Sequence, residues 1–216
     1  FSAGDLRLLV DEAHEAGLKV LAHAHSLSGI EHALDAGVDG IEHFTGITSE
    51  GIRLSDELLD RVASAGVAVD PTLGSDESMF ARMQGMPAPP PRIVEMMTRI
   101  GLDMPTMFAT RKRDAGRMHV HGVRVVSGVD AGAAPPKTHG NAWRAIDDLL
   151  VGGFPIDAAL ATATSVAAEA CDLGDVTGRL HPGLAADLLV VDGDVQADPA
   201  ALARPVAVVV RGVDAP

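Results

Sequence analysis

The sequence is poor in several things that decide function. It has one cysteine, Cys171, so no internal disulfide framework forms, and the chain suits a reducing compartment; a cytoplasmic location is expected. No apolar run approaches the roughly 18 residues of a membrane-spanning helix. Basic residues are scarce: 17 Lys and Arg face 30 Asp and Glu, and the densest basic cluster is Arg111-Lys112-Arg113. A formal charge of −13 repels polyanions, so neither nucleic acid nor membrane is expected as a partner. Aromatics make up only 3%, and a core must rest on Ala, Val, Leu, Ile and Met. The opening "FSAGDLRLL" lacks the basic start and cleavage site of a signal peptide. It also lacks an initiator Met, and the chain is expected to begin inside a longer reading frame.

What is present reads as a soluble globular α/β chain: 216 residues, 47% hydrophobic and 22% charged, enough for one good core or somewhat more. A short signal recurs at "EAGLKV", "DAGVDG", "SAGVAV" and, more loosely, "VHGVRV". Each puts Gly after a helical pattern and before an apolar stretch, which is how a helix stops and a buried strand starts. "DLRLLVDEAHEAG" keeps Leu6, Leu9, Val10 and Ala13 on one face, and "SDELLDRVASAG" opens with Ser55 as N-cap. Strand–helix alternation of this kind predicts a parallel sheet.

Residues 74–118 break the rhythm with "MPAPPPR" and a Met-rich helical stretch, an insertion that reads as a lid or an ordinary surface excursion. "NAWRAIDDLLVGG" and "PIDAALATATSVAAEACDLG" follow as two helices, the second placing Cys171 in a core-like Ala-rich pattern. The tail "GRLHPGLAADLLVVDGD" reads strand, Pro-Gly turn, strand, and "VAVVVRGV" adds another.

Three of the four apolar strands end in a potential metal ligand: "KVLAH" at His23, "DGIEH" at His43 and "RVVSGVD" at Asp130. In parallel β/α folds the carboxyl ends of strands carry the site. Imidazole and carboxylate together suit a zinc-like ion with an open position. One such histidine is ordinarily a hydrogen-bonded structural residue; three ligand-type residues in equivalent places are harder to explain that way. His25 lies two residues after His23, hence on the same strand face. His139, in "KTHGNA", follows the Asp130 strand on the same side and suits substrate contact or support of that loop. Thr45, Thr72 and Ser127 are weaker hydroxyl candidates, and His119 and His121 belong at the opposite end of the fourth strand.

These residues, taken with "VDPTL", "HGNA", "ATATSVAAEA" and the tail pattern G-x-L-x-x-G-x-x-A-D-L from Gly178, resemble the metal-dependent amidohydrolase superfamily. The similarity is to its imidazolonepropionase-like and Xaa-Pro dipeptidase-like branch. The resemblance implies a (β/α)8 TIM-type barrel with a small β-sandwich built from both termini. This chain would be the C-terminal half: residues 1–175 supply barrel strands five to eight, and residues 176–216 part of the composite sandwich. His23 and His43 then match metal ligands of the fifth and sixth strands. Asp130 matches the eighth-strand Asp that binds metal and acts as general base. His25 and His139 would hydrogen-bond the substrate. The cofactor implied is divalent metal, zinc by custom, with two ions in the complete enzyme. The substrate class is a small amide or dipeptide. Deaminase-type and imidazolonepropionase-type relatives carry a catalytic Glu three residues after the ligand His; here that position is Ser26, which favours amide or peptide hydrolysis.

The family's first-strand His-x-His pair and carboxylated Lys have no counterpart. Too few residues follow "HAH" to supply seven more strand–helix units, so it is not that pair, and the only lysines are Lys19, Lys112 and Lys137. Alone, the chain is expected to be inactive or nearly so. The alternative class is a non-catalytic half-barrel or assembly subunit that hides its open sheet edges by pairing with a second copy as a homo-oligomer.

Overall fold

Each Gly-then-apolar signal marks a helix end followed by a strand. The structure, a computed structural model, describes residues 2–79, 91–101 and 103–215. It divides into two units, Phe1–Pro71 with Met83–Val125, and Thr72–Arg82 with Val126–Pro216.

In the first unit, helix α1 (Ala3–Glu15) is opened by Ser2, whose hydroxyl accepts from the Asp5 N–H while the Asp5 carboxylate returns to the Ser2 N–H. Strand β1 (Leu21–Ser26) runs directly into α2 (Leu27–Ala36), followed by β2 (Gly40–Thr48), the short β3 (Gly51–Ile52) and α3 (Asp56–Ala65). Ser55 caps α3 through the Leu58 N–H, as its place in the sequence predicts. Gly37 and Gly66 close α2 and α3 in the left-handed conformation, which costs Gly almost nothing. Then come β4 (Ala68–Asp70), α4 (Pro91–Arg99), α5 (Met104–Val120) and β5 (Arg124–Val125).

The sheet order is β1-β2-β4-β5 with every neighbouring pair parallel, and β3 folds back antiparallel on β2. The mixed α/β fold with a parallel sheet is therefore present. Its core is aliphatic, as the scarcity of aromatics requires: Ile30, Ile41, Leu59, Val62, Val69, Ala115 and Met118 are buried, with Phe44 among them.

The second unit holds α6 (Ala142–Val151), α7 (Ile156–Thr162), α8 (Ser165–Ala170), the strands β6 (Leu188–Val191), β7 (Pro205–Val210) and β8 (Val213–Asp214), and a 3₁₀ turn at Pro199–Ala203. These last three strands form an antiparallel sheet in the order β6-β7-β8. The buried Asp148 on α6 accepts the Gly74 N–H at 2.8 Å.

Four local expectations change. The fourth strand stops at Val125 rather than reaching Asp130, and the Ser127 N–H goes to the Thr162 carbonyl instead of a sheet partner. The long Ala-rich helix is two helices. Between them the Thr162 and Thr164 hydroxyls turn back onto the Ala159 and Leu160 carbonyls, competing with the helical ladder. Cys171 is exposed, because α8 ends at Ala170 and Cys171 is its C-cap. The segment before the Pro-Gly turn is not a strand: Gly178 takes φ +93° close against Ala168, and Arg179 pairs with Glu169. The lid expectation falls in part on residues 80–90, outside the described residues. Its later portion is α5, whose Phe108, Ala115 and Met118 are buried.

Candidate metal centre

The two-residue period of β1 sends His23 and His25 to one face while Ala24 on the other is buried. Residue 26 ends this strand and begins the helix: the Ser26 hydroxyl accepts the Gly29 N–H at 3.0 Å. Ser26, the position of the absent Glu, is thus a helix N-cap, a role that Ser at a strand–helix junction signals in sequence.

Strand β2 supplies the third imidazole through an irregularity. Ala24 pairs with His43, but Ser26 pairs with Ile47, so β2 carries two more residues than β1 across the same span. The extra length is taken up by left-handed backbone at His43 (φ 71°), Phe44 (φ 45°) and Gly46 (φ 71°). For the two non-glycine residues that conformation costs on the order of 1–3 kcal/mol each. The burial of Phe44 and Thr45 holds it in place.

The result is a tight cluster. His43 Nε2 lies 2.8 Å from His23 Nδ1. The rings of His23 and His25 meet edge-on at 4.9 Å, and those of His25 and His43 stack at 4.4 Å. One ring nitrogen from each of the three lies within 4.8 Å of the others. At this spacing the donor set fits a divalent ion of borderline softness, for which metal–nitrogen bonds are about 2.0–2.1 Å. Thr45, a weak candidate in the sequence, places its buried hydroxyl 2.9 Å from His25 Nδ1. Behind the cluster is a narrow pocket lined by His43, Thr45, Pro71, Arg111 and Asp114.

Asp130 and His139 belong to the second unit and share one loop. Asp130 is exposed with φ 52°, and its carbonyl accepts the Ala133 N–H at 3.2 Å. The loop is closed by Gly132 N–H to the Lys137 carbonyl at 2.7 Å, and the Lys137 ammonium donates to the Thr72 and Leu73 carbonyls at 2.7 Å. A Cβ on Gly132 would stand 3.5 Å from His139 Nε2, so that ring lies over the turn next to Asp130. His119 and His121 are elsewhere, at the end of α5, where His121 pairs with Asp60 at 2.6 Å and Asp56 at 3.4 Å.

The model of the amidohydrolase family matches residues 1–213. An uncharacterized protein of Mycobacterium tuberculosis is 31% identical over 215 residues, covering 96% of this chain and 50% of that protein. A solved Xaa-Pro dipeptidase with methionine bound in its active site matches with a TM-score of 0.82 at 26% identity, covering 100% of this chain and 49% of that one. A candidate prolidase from Bifidobacterium longum matches with a TM-score of 0.78 at 29% identity, covering 99% and 51%. The chain spans about half the length of the curated relatives it matches.

Proposed function

This chain belongs to the amidohydrolase family, and on that premise we propose that it is the C-terminal half of a metal-dependent hydrolase of amide or peptide C–N bonds. The observation that carries this reading is the convergence of three imidazoles on the neighbouring parallel strands β1 and β2, where their regular pairing ends. In the proposed architecture residues 1–175 contribute the last four strands of a (β/α)8 barrel and residues 176–216 contribute to a β-sandwich.

His23 and His43 would hold a divalent ion, zinc by the chemistry of the donors. When bound, such an ion supplies Lewis-acid polarisation of the scissile carbonyl and lowers the pKa of water towards ~7. The first-strand ligands and the lysine for a second ion would come from the other half of the protein. Asp130 is the proposed general base: its carboxylate accepts the proton of the attacking water and returns it to the departing amine. His139 donates to the substrate carboxylate or to the oxygen that gains charge in the tetrahedral species. His25 is suited to the same substrate role, and its place in the imidazole cluster opens a second one.

In the full-length protein, a panel of dipeptides and N-acyl amino acids tests the reaction class. Asp130→Asn should abolish turnover while retaining most of the bound metal; near-normal turnover would sink the assignment. The 216-residue chain alone should turn over none of the panel. The assembly-subunit reading is favoured by one feature, the exposure of Leu9 and Leu21, which line one groove with the terminal strand β1. A metal-free, inactive full-length protein that forms a stable dimer would select it.

A further inference from the structure

We propose that His25 is a third imidazole ligand of this centre and that Thr45 selects the nitrogen it offers, so that this chain alone holds a divalent transition-metal ion. The inference rests on the metal-site reading above and extends it from two imidazoles to three. His25 sits on the same strand face as His23, and its ring is stacked on His43 with a 15° interplanar angle. A residue whose only task was to meet substrate would not need to lie within ligand distance of both other rings.

The second observation is Thr45. Its hydroxyl is buried and stands 2.9 Å from His25 Nδ1. With the imidazole as donor to that oxygen, the proton sits on Nδ1 and the lone pair on Nε2. Ligating histidines are oriented by this kind of outer bond. Thr45 reaches His25 only because β2 carries two extra residues between its pairings with Ala24 and Ser26. The same irregularity turns His43 into the left-handed region. One backbone device therefore places a ligand and, two residues on, the group that orients its neighbour. All of these residues lie between His23 and Thr45, within the first unit, so the trio is complete without any residue of the other half.

The test is a Co(II) titration of the full 216-residue chain, followed by visible absorption and by competition with a chelator. The wild-type chain should take up one equivalent. His25→Ala should weaken binding about 10–100-fold and shift the ligand-field bands through loss of a nitrogen donor. Thr45→Val should weaken binding about 10-fold, and Thr45→Ser, which keeps the oxygen, should restore it. The ¹⁵N signals of His25 should show an Nδ1-protonated ring in the wild type and in Thr45→Ser, and a mixture in Thr45→Val. His181→Ala, in the second unit, should leave affinity and spectrum unchanged. If His25→Ala unfolds the chain by circular dichroism, the Thr45 pair decides alone. Unaltered Co(II) affinity and bands in His25→Ala, with loss of binding in His23→Ala and His43→Ala, would overturn the third ligand and leave the two-imidazole reading standing. No Co(II) uptake by the wild-type chain would overturn the three-imidazole site, while the two-imidazole reading is decided separately by Co(II) uptake in the full-length protein.

Discussion

The two sheets of this chain are built from similar residues and end in opposite environments. β4 is Ala-Val-Asp and β7 is Pro-Val-Ala-Val-Val-Val, yet Val69 is fully buried while Val206 is 67% exposed. The inner parallel strands β2 and β4 are largely covered, whereas the antiparallel hairpins leave Val206, Val208 and Val210 uncovered. β6 borders an apolar cleft of about 1020 Å³ lined by Leu160, Ala168, Leu173, Leu188 and Val190. Strand composition alone thus says nothing about what a face meets; the connections decide it. The catalytic candidates follow the same division, with the imidazoles on the covered sheet and Asp130 and His139 on an exposed loop.

Two glycines with the same backbone sharpen the contrast most. Gly46 in β2 has φ +71°, and a Cβ there would lie 2.5 Å from Leu54 Cδ2 and 2.9 Å from the Arg53 carbonyl. Gly212, between β7 and β8, has φ +79° and nothing within 4 Å. Gly46→Ala should cost about 2–4 kcal/mol, combining left-handed strain with overpacking, and should also weaken Co(II) uptake, since it distorts the turn that carries Thr45. Gly212→Ala should cost only the conformational part, about 1 kcal/mol. Denaturant unfolding reads both: far-UV circular dichroism follows the whole chain, and the single Trp143 follows the second unit. Equal costs would mean that the β7–β8 turn is covered.

A matched pair of valines comes next. Val69→Ala deletes two buried methyl groups and should cost about 2–3 kcal/mol, the transfer term plus a cavity. Val208→Ala, at 41% exposure, should cost under about 1 kcal/mol. A loss at Val208 as large as that at Val69 would show that β7 is packed against something in solution, and would break the comparison.

The covered sheet was also the more legible part of the sequence. Its helix stops are glycines and its strands are apolar runs, both local signals, and the four strands do lie side by side in parallel. His23 and His43, read in the sequence as strand ends, lie inside β1 and β2, which run on to Ser26 and Thr48. Three things had no local signal. The left-handed backbone at His43 and Phe44 is imposed by the burial of Phe44 and by the register skip against β1, and non-glycine residues do not advertise it. Thr45 became a partner of His25 through that same skip. The short β5 ends where the Ser127 N–H leaves for Thr162, a tertiary contact invisible in "RVVSGVD". In the antiparallel part, period-two patterning was weak because neither face of β7 is well buried, so strand limits were harder to place than helix caps.

The smallest expected effect separates the units by acid and salt. Asp56 in the first unit is held below its ordinary value of 3.8, chiefly by the Arg117 guanidinium bonded to it and further by the charges of Arg117 and His121. Asp187 in the second is also held below 3.8, chiefly by the Thr177 hydroxyl and the Arg211 N–H. A carboxyl with a depressed folded pKa stabilises the fold above its unfolded value, and the contribution is lost as the pH falls through the folded value. Both units should therefore lose a little stability as the pH drops below 3.8. Asp56→Asn and Asp187→Asn should each flatten that acid slope. Salt tells the two apart, because a guanidinium–carboxylate pair is screened while bonds from neutral donors are not. Raising ionic strength from low salt to 1 M, where the screening length is about 3 Å, should shrink the difference between wild type and Asp56→Asn. It should leave the difference between wild type and Asp187→Asn nearly intact. An equal salt response at the two sites would mean that Asp187, too, is held mainly by charge, through Arg211 rather than through Thr177.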